Sequence, residues 1–446
     1  MKRLMMRIRP IRILPFGFML IILLGAGLLC LPAANNSGEG LPFLDALFTA
    51  TSATCVTGLV VFDTATQFSH FGQAIILFLI QIGGLGFMTM AAGLFMMVRK
   101  QVSLYERMTL MEGLGENKMT GLRQIAATAG KVTLVSETAG AALLAVRFIP
   151  KFGFWEGLWK AVFHSISAFC NAGFDILGTG ASFEQGYLGD PLVNFTLMAL
   201  IITGGLGFAV VVNMLSERPK RWRLHTRMAL KATLALIAVG WGLFLLFEWN
   251  HAYDGLSFSN KLMAGLFQSV TLRTAGFSTV PQMALTEASR FISVIWMLIG
   301  GSPAGTAGGI KTTTVIVLFL AVKAMMRNRQ EVTTNCRRIN NQLILRALSL
   351  LVFAVSLVFA SVLLASLFES GNSSFGLLDI MFEMASALGT VGLTSGLTAA
   401  ASTGTRLLII ALMFAGRVGM ITIALSFTRQ KKEAQLRYPD EDVPIG

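Results

Sequence analysis

ALFTATSATCVTGL at residues 46–59, AVFHSISAFCNAGF at 161–174, GLFQSVTLRTAGF at 265–277 and IMFEMASALGTVGL at 380–393 are four versions of one segment. Each is a short apolar stretch, too brief to cross a bilayer, that ends on a glycine followed by an apolar residue. Aligned on Gly58, Gly173, Gly276 and Gly392, the copies recur at close to a quarter of the chain's 446 residues. Ser52, Ser167, Thr271 and Ser386 correspond upstream, with one residue deleted in the third copy. A glycine after a short helix is ordinarily a C-cap. Four in register, each between two long apolar runs, form an internal repeat, and a repeat decides the architecture.

The composition places these repeats in a membrane. Hydrophobic residues make up 54% of the chain and charged residues 13%, about half the share usual in soluble domains. Uncharged runs at 13–38, 71–98, 191–216 and 347–368 reach the ~20 residues needed to span, and further runs begin near Gln124, Ala232, Phe291 and Leu407, giving eight expected spans. The net charge of +13 sits in connections rather than on one face or arm, which excludes a nucleic-acid-binding reading. Lys2, Arg3, Arg7, Arg9 and Arg12 precede span one; Arg99, Lys100, Arg107 and Lys118 follow span two; Arg218, Lys220, Arg221, Arg223 and Arg227 follow span four. Arg327, Arg329, Arg337, Arg338 and Arg346 follow span six, and Arg429, Lys431, Lys432 and Arg437 follow span eight. The positive-inside rule puts all of these, and both termini, on the cytoplasmic side of the membrane. The basic start and Leu31-Pro32-Ala33-Ala34 imitate a signal peptide, but the apolar run exceeds a usual h-region. Cys30, Cys55, Cys170 and Cys336 show no pairing that suggests disulfides or a metal.

The expected fold is therefore all-α and integral to the membrane, with four span, pore helix, span units around one pseudo-fourfold ion pore. The units run over 1–98, 99–216, 217–328 and 329–446. Non-helical backbone at membrane depth must be buried in protein or line an aqueous path. Four such segments meet that demand by converging on one axis, where rings of carbonyls replace the water of a stripped K⁺ and glycine permits positive φ without a blocking side chain. The candidate selectivity filter is Thr57, Gly58, Asn171, Ala172, Gly173, Thr274, Ala275, Gly276, Thr390, Val391 and Gly392, with Asp63 and Asp175 just beyond as carboxylates able to concentrate cations or simply to be solvated. Glycines and a proline interrupt span six between Gly300 and Thr314, and broken helices mark ion pathways. Gly305, Thr306, Ala307, Gly308, Gly309 and Lys311 are the candidate gate. Arg417, costly inside span eight, holds that loop closed, opposes cation passage until the gate moves, or pairs with Glu137, for which Lys131 competes. The Gly-Gly-Leu-Gly-Phe segments at 83–87 and 204–208 read as packing glycines inside spans, not as a nucleotide fingerprint.

With TCVTGL, CNAGF, RTAGF and GTVGL in four such units, the chain resembles the KtrB family, the membrane subunits of bacterial Ktr potassium uptake systems, in the superfamily that holds TrkH and the plant HKT transporters. One span, rather than three, precedes Gly58, which favours KtrB over TrkH. The resemblance implies that Gly58, Gly173, Gly276 and Gly392 form the filter, that the 300–314 loop gates with Arg417, and that glycine at the first position means K⁺ rather than Na⁺. It also implies a homodimer on a cytosolic ring of KtrA-type nucleotide-binding subunits, uptake stimulated by Na⁺, and no nucleotide on this chain. A symporter of a small solute would show inverted repeats rather than parallel ones, a Na⁺-conducting member of the superfamily stays open, and no polar constellation suggests an enzyme.

Overall fold

The computed structural model describes residues 10–86, 122–178, 183, 186–329, 331–334, 337–371 and 374–419. Its long elements are α1 (Pro10–Leu29), α2 (Phe43–Cys55), α3 (His70–Leu85), α4 (Leu122–Phe152), α5 (Phe154–Phe169), α6 (Pro191–Gly205) and α7 (Phe208–Ser216). They continue with α8 (Leu224–Glu248), α9 (Phe258–Thr271), α10 (Glu287–Leu298), α11 (Thr312–Met326), α12 (Asn341–Phe368), α13 (Leu377–Gly389) and α14 (Thr403–Val418). A two-residue antiparallel hairpin, Thr333–Thr334 with Arg337–Arg338, follows α11. Starts are set by side-chain caps: Ser69, Asp190, Ser257, Thr286, Asn340 and Ser402 each accept from backbone N–H groups of the first turn, satisfying donors that a helix leaves open.

The outer helices carry their apolar side chains to the outside. Phe78, Leu134, Leu234 and Leu363 are each more than 60% exposed; water would penalise such a surface, and lipid does not. Among the described residues, three helices are long and apolar enough to cross a membrane, all or part of α4, α8 and α12, and a fourth counts if α6 and α7 are one span bent by 96°. That is fewer than the eight spans expected, of which span six alone was expected to be interrupted, and the shortfall has local causes. The 13–38 run stops being α-helical at Leu29 and turns through Pro32–Ala34. The 191–216 run breaks at Leu206 and Gly207, and the sixth run breaks between α10 and α11. The 71–98 run is helical to Leu85, and its remainder, with the 98/99 unit boundary and the basic clusters at 2–9, 99–118 and 429–437, lies outside the described residues.

The core is organised around the short helices α2, α5, α9 and α13. Each packs against the long helix before it, α1, α4, α8 and α12 respectively. Each also packs against a helix of the preceding unit: α3 on α5, α6 on α9, α10 on α13 and α14 on α2. The cycle is closed. Phe48, Phe163, Phe267 and Phe382, one per short helix at one register, are all buried.

Polar contacts reinforce the same junctions. Trp159 donates to Gln73 Oε1 at 2.8 Å, Arg290 pairs with Asp379 at 2.5 Å, and Arg406 pairs with Asp45 at 2.8 Å, joining the last unit to the first. Asp45 and Asp379 occupy one register, thirteen residues before their glycines. The Arg406 and Asp45 side chains are only 20% and 11% exposed, so removing one partner strands the other's charge, at a cost of about 3 kcal/mol. Asp45→Asn is accordingly expected to lower the thermal unfolding midpoint in detergent well below that of the wild type. An unchanged midpoint would remove this pair from the account of how the cycle closes.

Candidate functional site

Each short helix is followed by a residue of positive φ, Val56 (57°) and Thr390 (51°) directly as C-caps, Asn171 (59°) and Thr274 (66°) two and three residues past the helix end, and two residues later comes its glycine with φ 92°, 96°, 68° and 81° respectively. Alternating the sign of φ turns successive carbonyls to the same side instead of to opposite sides. Holding β-branched Val56, Thr274 and Thr390 in this region costs on the order of 1–3 kcal/mol each, a strain that persists only where the surroundings enforce it. The hydroxyls that share one register in the four copies supply part of that enforcement. Ser52 and Ser386 accept from the N–H of Gly58 and Gly392, each at 3.1 Å, while Ser167 donates to Phe174 O at 2.9 Å and Thr271 to Phe277 O at 2.5 Å.

The four segments meet. A Cβ added to Gly58 would lie 2.5 Å from Ala172 O, one on Gly173 2.8 Å from Ala275 O, one on Gly276 2.5 Å from Val391 O, and one on Gly392 would collide with Thr57 O. Each glycine thus abuts the carbonyl preceding the next unit's glycine, and the fourth returns to the first. All four glycines line one cavity of about 360 Å³, together with Asp63, Asp175, Ser278, Gln282 and Thr394. Neither carboxylate is merely solvated. Asp63 caps the turn Thr64–Gln67, and Asp175 lies 2.8 Å from His164 Nε2 while accepting from Leu177 N at 2.7 Å.

One row of residues escaped the sequence reading. Three positions before each register hydroxyl stand Thr49, His164, Gln268 and Glu383, and three of them brace the chain leaving the glycine. Glu383, wholly buried, accepts from Thr394 Oγ1 (2.8 Å), Ser395 N (2.9 Å) and Oγ (3.0 Å), and from Thr398. Gln268 and Gln282 exchange amide hydrogen bonds at 2.7 and 3.2 Å. Among the described residues, Thr49 bonds its own helix, at Asp45 O. The signal was available: a polar residue directly after the buried phenylalanine in every copy.

Below the glycines, the span-four break and the span-six loop form one device. The groups freed between α6 and α7 are satisfied by the loop: Ser302 N donates to Gly205 O (2.9 Å), Thr306 N to Gly204 O (3.2 Å), and Phe208 N to Ala304 O (2.9 Å). The single Thr306 Oγ1 hydrogen is shared between Phe169 O (3.1 Å) and Asn171 Oδ1 (3.3 Å). A Cβ on Gly308 would strike Thr390. The loop therefore lies between the left-handed residues of units two and four. Lys311 closes back on Ala307 O at 2.8 Å. The Gly-Gly-Leu-Gly segments, expected inside continuous spans, instead end α3 and α6, with Gly86 and Gly207 at positive φ. Their packing role stands, since a Cβ on Gly83 or Gly204 would collide with Thr54 O or Phe169 O.

Gly416-Arg417-Val418-Gly419 repeats that pattern at the end of α14, so Arg417 takes the place of Gly84 and Gly205. Gly416 packs against Leu388 O and Gly419 has φ 96°. The Arg417 guanidinium donates to Thr306 O of the loop and to Gly83 O and Gly84 O (3.2 Å) at the end of α3. Its described partners are carbonyls, not Glu137. Glu137 instead accepts from Gln81 at 3.1 and 3.3 Å, and no ion pair between Glu137 and Lys131 is seen among the described residues.

Lipid-facing apolar helices around a backbone-lined cavity, with broken spans beneath it, define a membrane transport protein. Residues 23–436 match the TrkH family of cation transport proteins, to which the chain belongs. It is 39% identical to the potassium/sodium uptake protein NtpJ of Enterococcus hirae, over 100% of this chain and 99% of that one. It is also 39% identical to the Ktr system potassium uptake protein B of Bacillus subtilis, over 99% and 97%. The fold matches the potassium transporter TrkH from Vibrio parahaemolyticus with a TM-score of 0.70 at 18% identity, covering 93% of this chain and 85% of that one.

Proposed function

We propose that this chain is the K⁺-conducting membrane subunit of a Ktr-type uptake system. The observation that carries this reading is the closed cycle in which each positive-φ glycine abuts the next unit's carbonyl. Oxygens of Thr57, Ala172, Ala275 and Val391 then replace the hydration shell of a dehydrated cation. Four span, short helix, span units around one axis account for the cyclic packing, and their eight spans include the three broken or shortened ones. The loop Gly305–Gly309 with Lys311, pinned by Arg417, closes the inner side. Both termini face the cytoplasm, where a homodimer sits on a ring of nucleotide-binding KtrA-type subunits. The Ktr naming of relatives supports that partner, and the potassium/sodium name of another supports an effect of Na⁺ on uptake.

Purified protein in liposomes, with an inward K⁺ gradient, should take up K⁺ in preference to Na⁺, and a nucleotide-binding partner should change the rate. Equal uptake of both ions, or none with folded protein and partner present, would overturn the reading.

A further inference from the structure

Glu137 sits at the middle of α4, half-buried beside Leu134 and Val135, which are each 68% exposed on the outer surface. A carboxyl group at that depth of an apolar helix is costly and is kept where partners hold it. Its side-chain partners among the described residues, Gln81 and Cys170, both meet the end of α3. Gln81 Nε2 donates to Glu137 Oε1 and Oε2 at 3.1 and 3.3 Å. The Cys170 thiol lies 3.7 Å from Gln81 Oε1 and 4.0 Å from Glu137 Oε1, with one hydrogen for the two. The main chain of Glu137 is fixed as well. Ser165 Oγ on α5 donates to Glu137 O at 2.6 Å, and a Cβ added to Gly140, one turn on, would lie 2.5 Å from the same hydroxyl oxygen. The carboxyl group therefore projects from a fixed seat where α4 and α5 touch.

Arg417 grips the same end of α3 by its main chain. The guanidinium donates to Gly83 O and Gly84 O, two and three residues beyond Gln81. Gly84 also adjoins the thiol, since a Cβ there would collide with Cys170 Sγ. Carbonyls at a helix C-terminus have no partner within the helix and are free to accept, but the last turn frays unless something holds it.

We infer that Glu137 is a positioning residue for the gate: through Gln81 it fixes the last turn of α3, so that the Gly83 and Gly84 carbonyls stand where Arg417 meets them. The inference rests on the gating role proposed above for Arg417. The remaining bond of that guanidinium runs to Thr306 O of the loop, so the end of α3 is the fixed point from which the loop is held. With that end loosened, Arg417 keeps the loop carbonyl and loses its anchorage. Glu137 and Arg417 thus act on one turn without touching each other, the first through a side-chain amide and the second through main-chain oxygens.

In liposomes, Glu137→Leu should raise K⁺ flux about fivefold, the effect of losing one hydrogen bond from the closed arrangement, with the K⁺ to Na⁺ ratio unchanged. Because both residues act on one contact, adding Arg417→Gln should bring flux to the level of Arg417→Gln alone instead of multiplying the two gains. Glu137→Gln keeps an oxygen for the Gln81 amide and should give back most of the gain. The pair replacement Gln81→Leu/Glu137→Leu strands no polar partner, so it should unfold near the wild-type midpoint and still conduct about fivefold faster. A merely structural contact would return wild-type flux along with wild-type stability. Wild-type flux in the pair replacement, gains that multiply with Arg417→Gln, or a Glu137→Gln flux as high as that of Glu137→Leu overturns the inference. The unfolding midpoint gives a readout that needs no conduction: Arg417→Gln should lower it by less in the Glu137→Leu background than in the wild type. That result, with no K⁺ flux in any form of the protein, would strike the conduction reading and leave the coupling of Glu137 to Arg417 standing. Equal shifts in the two backgrounds overturn the coupling.

Discussion

Gly392→Ser is expected to reduce the preference for K⁺ over Na⁺ by about tenfold or more, the change that 1.4 kcal/mol of lost discrimination produces. The glycine has φ 96°, a conformation that costs a residue with a side chain on the order of 1–3 kcal/mol. Its new Cβ would also meet Thr57 O and lie 3.0 Å from the Gly58 Cα. Backbone must move, and what moves is a carbonyl proposed to face the ion. A ring matched to one ion size loses its distinction once a member withdraws, whereas a smaller ion tolerates an irregular set. Gly58→Ser should act alike, since its Cβ falls 2.5 Å from Ala172 O. Gly38 provides the control: it has φ 70°, yet nothing lies within 4 Å of its added Cβ. Gly38→Ser therefore shares the backbone strain without touching the cycle, and should leave the ion preference intact. Competitive K⁺ and Na⁺ uptake in cells lacking their own K⁺ systems measures the ratio. Discrimination equal to wild type in both Gly58→Ser and Gly392→Ser would remove these glycines from the filter.

How much of this was legible in the sequence depended on whether a feature repeats. Gly58, Gly173, Gly276 and Gly392 could be aligned by eye, and so could their hydroxyls, because each unit faces the same local problem: ending a short helix and turning carbonyls inward. The structure brings these four together and adds a direction, each unit leaning on the next. The row Thr49, His164, Gln268 and Glu383 was hidden, although equally regular, because its members differ chemically. Each unit leaves its glycine by a different path, so the brace is a carboxylate in one copy and an imidazole in another. Span four shows the opposite failure. The run 191–216 is uniformly apolar, so hydropathy reads one crossing, yet the backbone turns by 96° at Leu206 and Gly207. What stabilises the turn is a loop roughly a hundred residues away, whose Ser302, Ala304 and Thr306 take up the freed groups, and no window on span four contains them. Arg417 was visible as an expense. Its expected role was to hold the 300–314 loop, with an ion pair to Glu137 as the alternative; the individual carbonyls of Thr306, Gly83 and Gly84 that it meets were not visible, because carbonyls leave no mark in a sequence.

Arg417→Gln is expected to raise K⁺ flux about tenfold while leaving the K⁺ to Na⁺ ratio unchanged. A hydrogen bond to a charged group contributes about 1.5–3 kcal/mol, and this guanidinium ties Thr306 O of the loop to Gly83 O and Gly84 O at the end of α3. Losing even one such bond shifts a closed-to-open equilibrium by a factor of about ten. The proposed filter residues are not among the Arg417 contacts, so selectivity should hold, and that separates a gating effect from damage to the pore. Deleting Gly305–Gly309 removes the other half of the same contact and should also raise flux. Because both changes break one interaction, the double variant should gain much less than the two single gains combined. Thr306→Val tests a weaker link: it keeps the carbonyl that Arg417 uses and loses the hydroxyl hydrogen shared between Phe169 O and Asn171 Oδ1. A neutral bond is worth about 1 kcal/mol, so a several-fold rise is expected there. Flux through reconstituted protein, normalised to the amount inserted, reads all four. Should Arg417→Gln conduct at the wild-type rate, the loop would be a fixed plug-side brace for the α6 and α7 break, and the gate would have to be sought elsewhere.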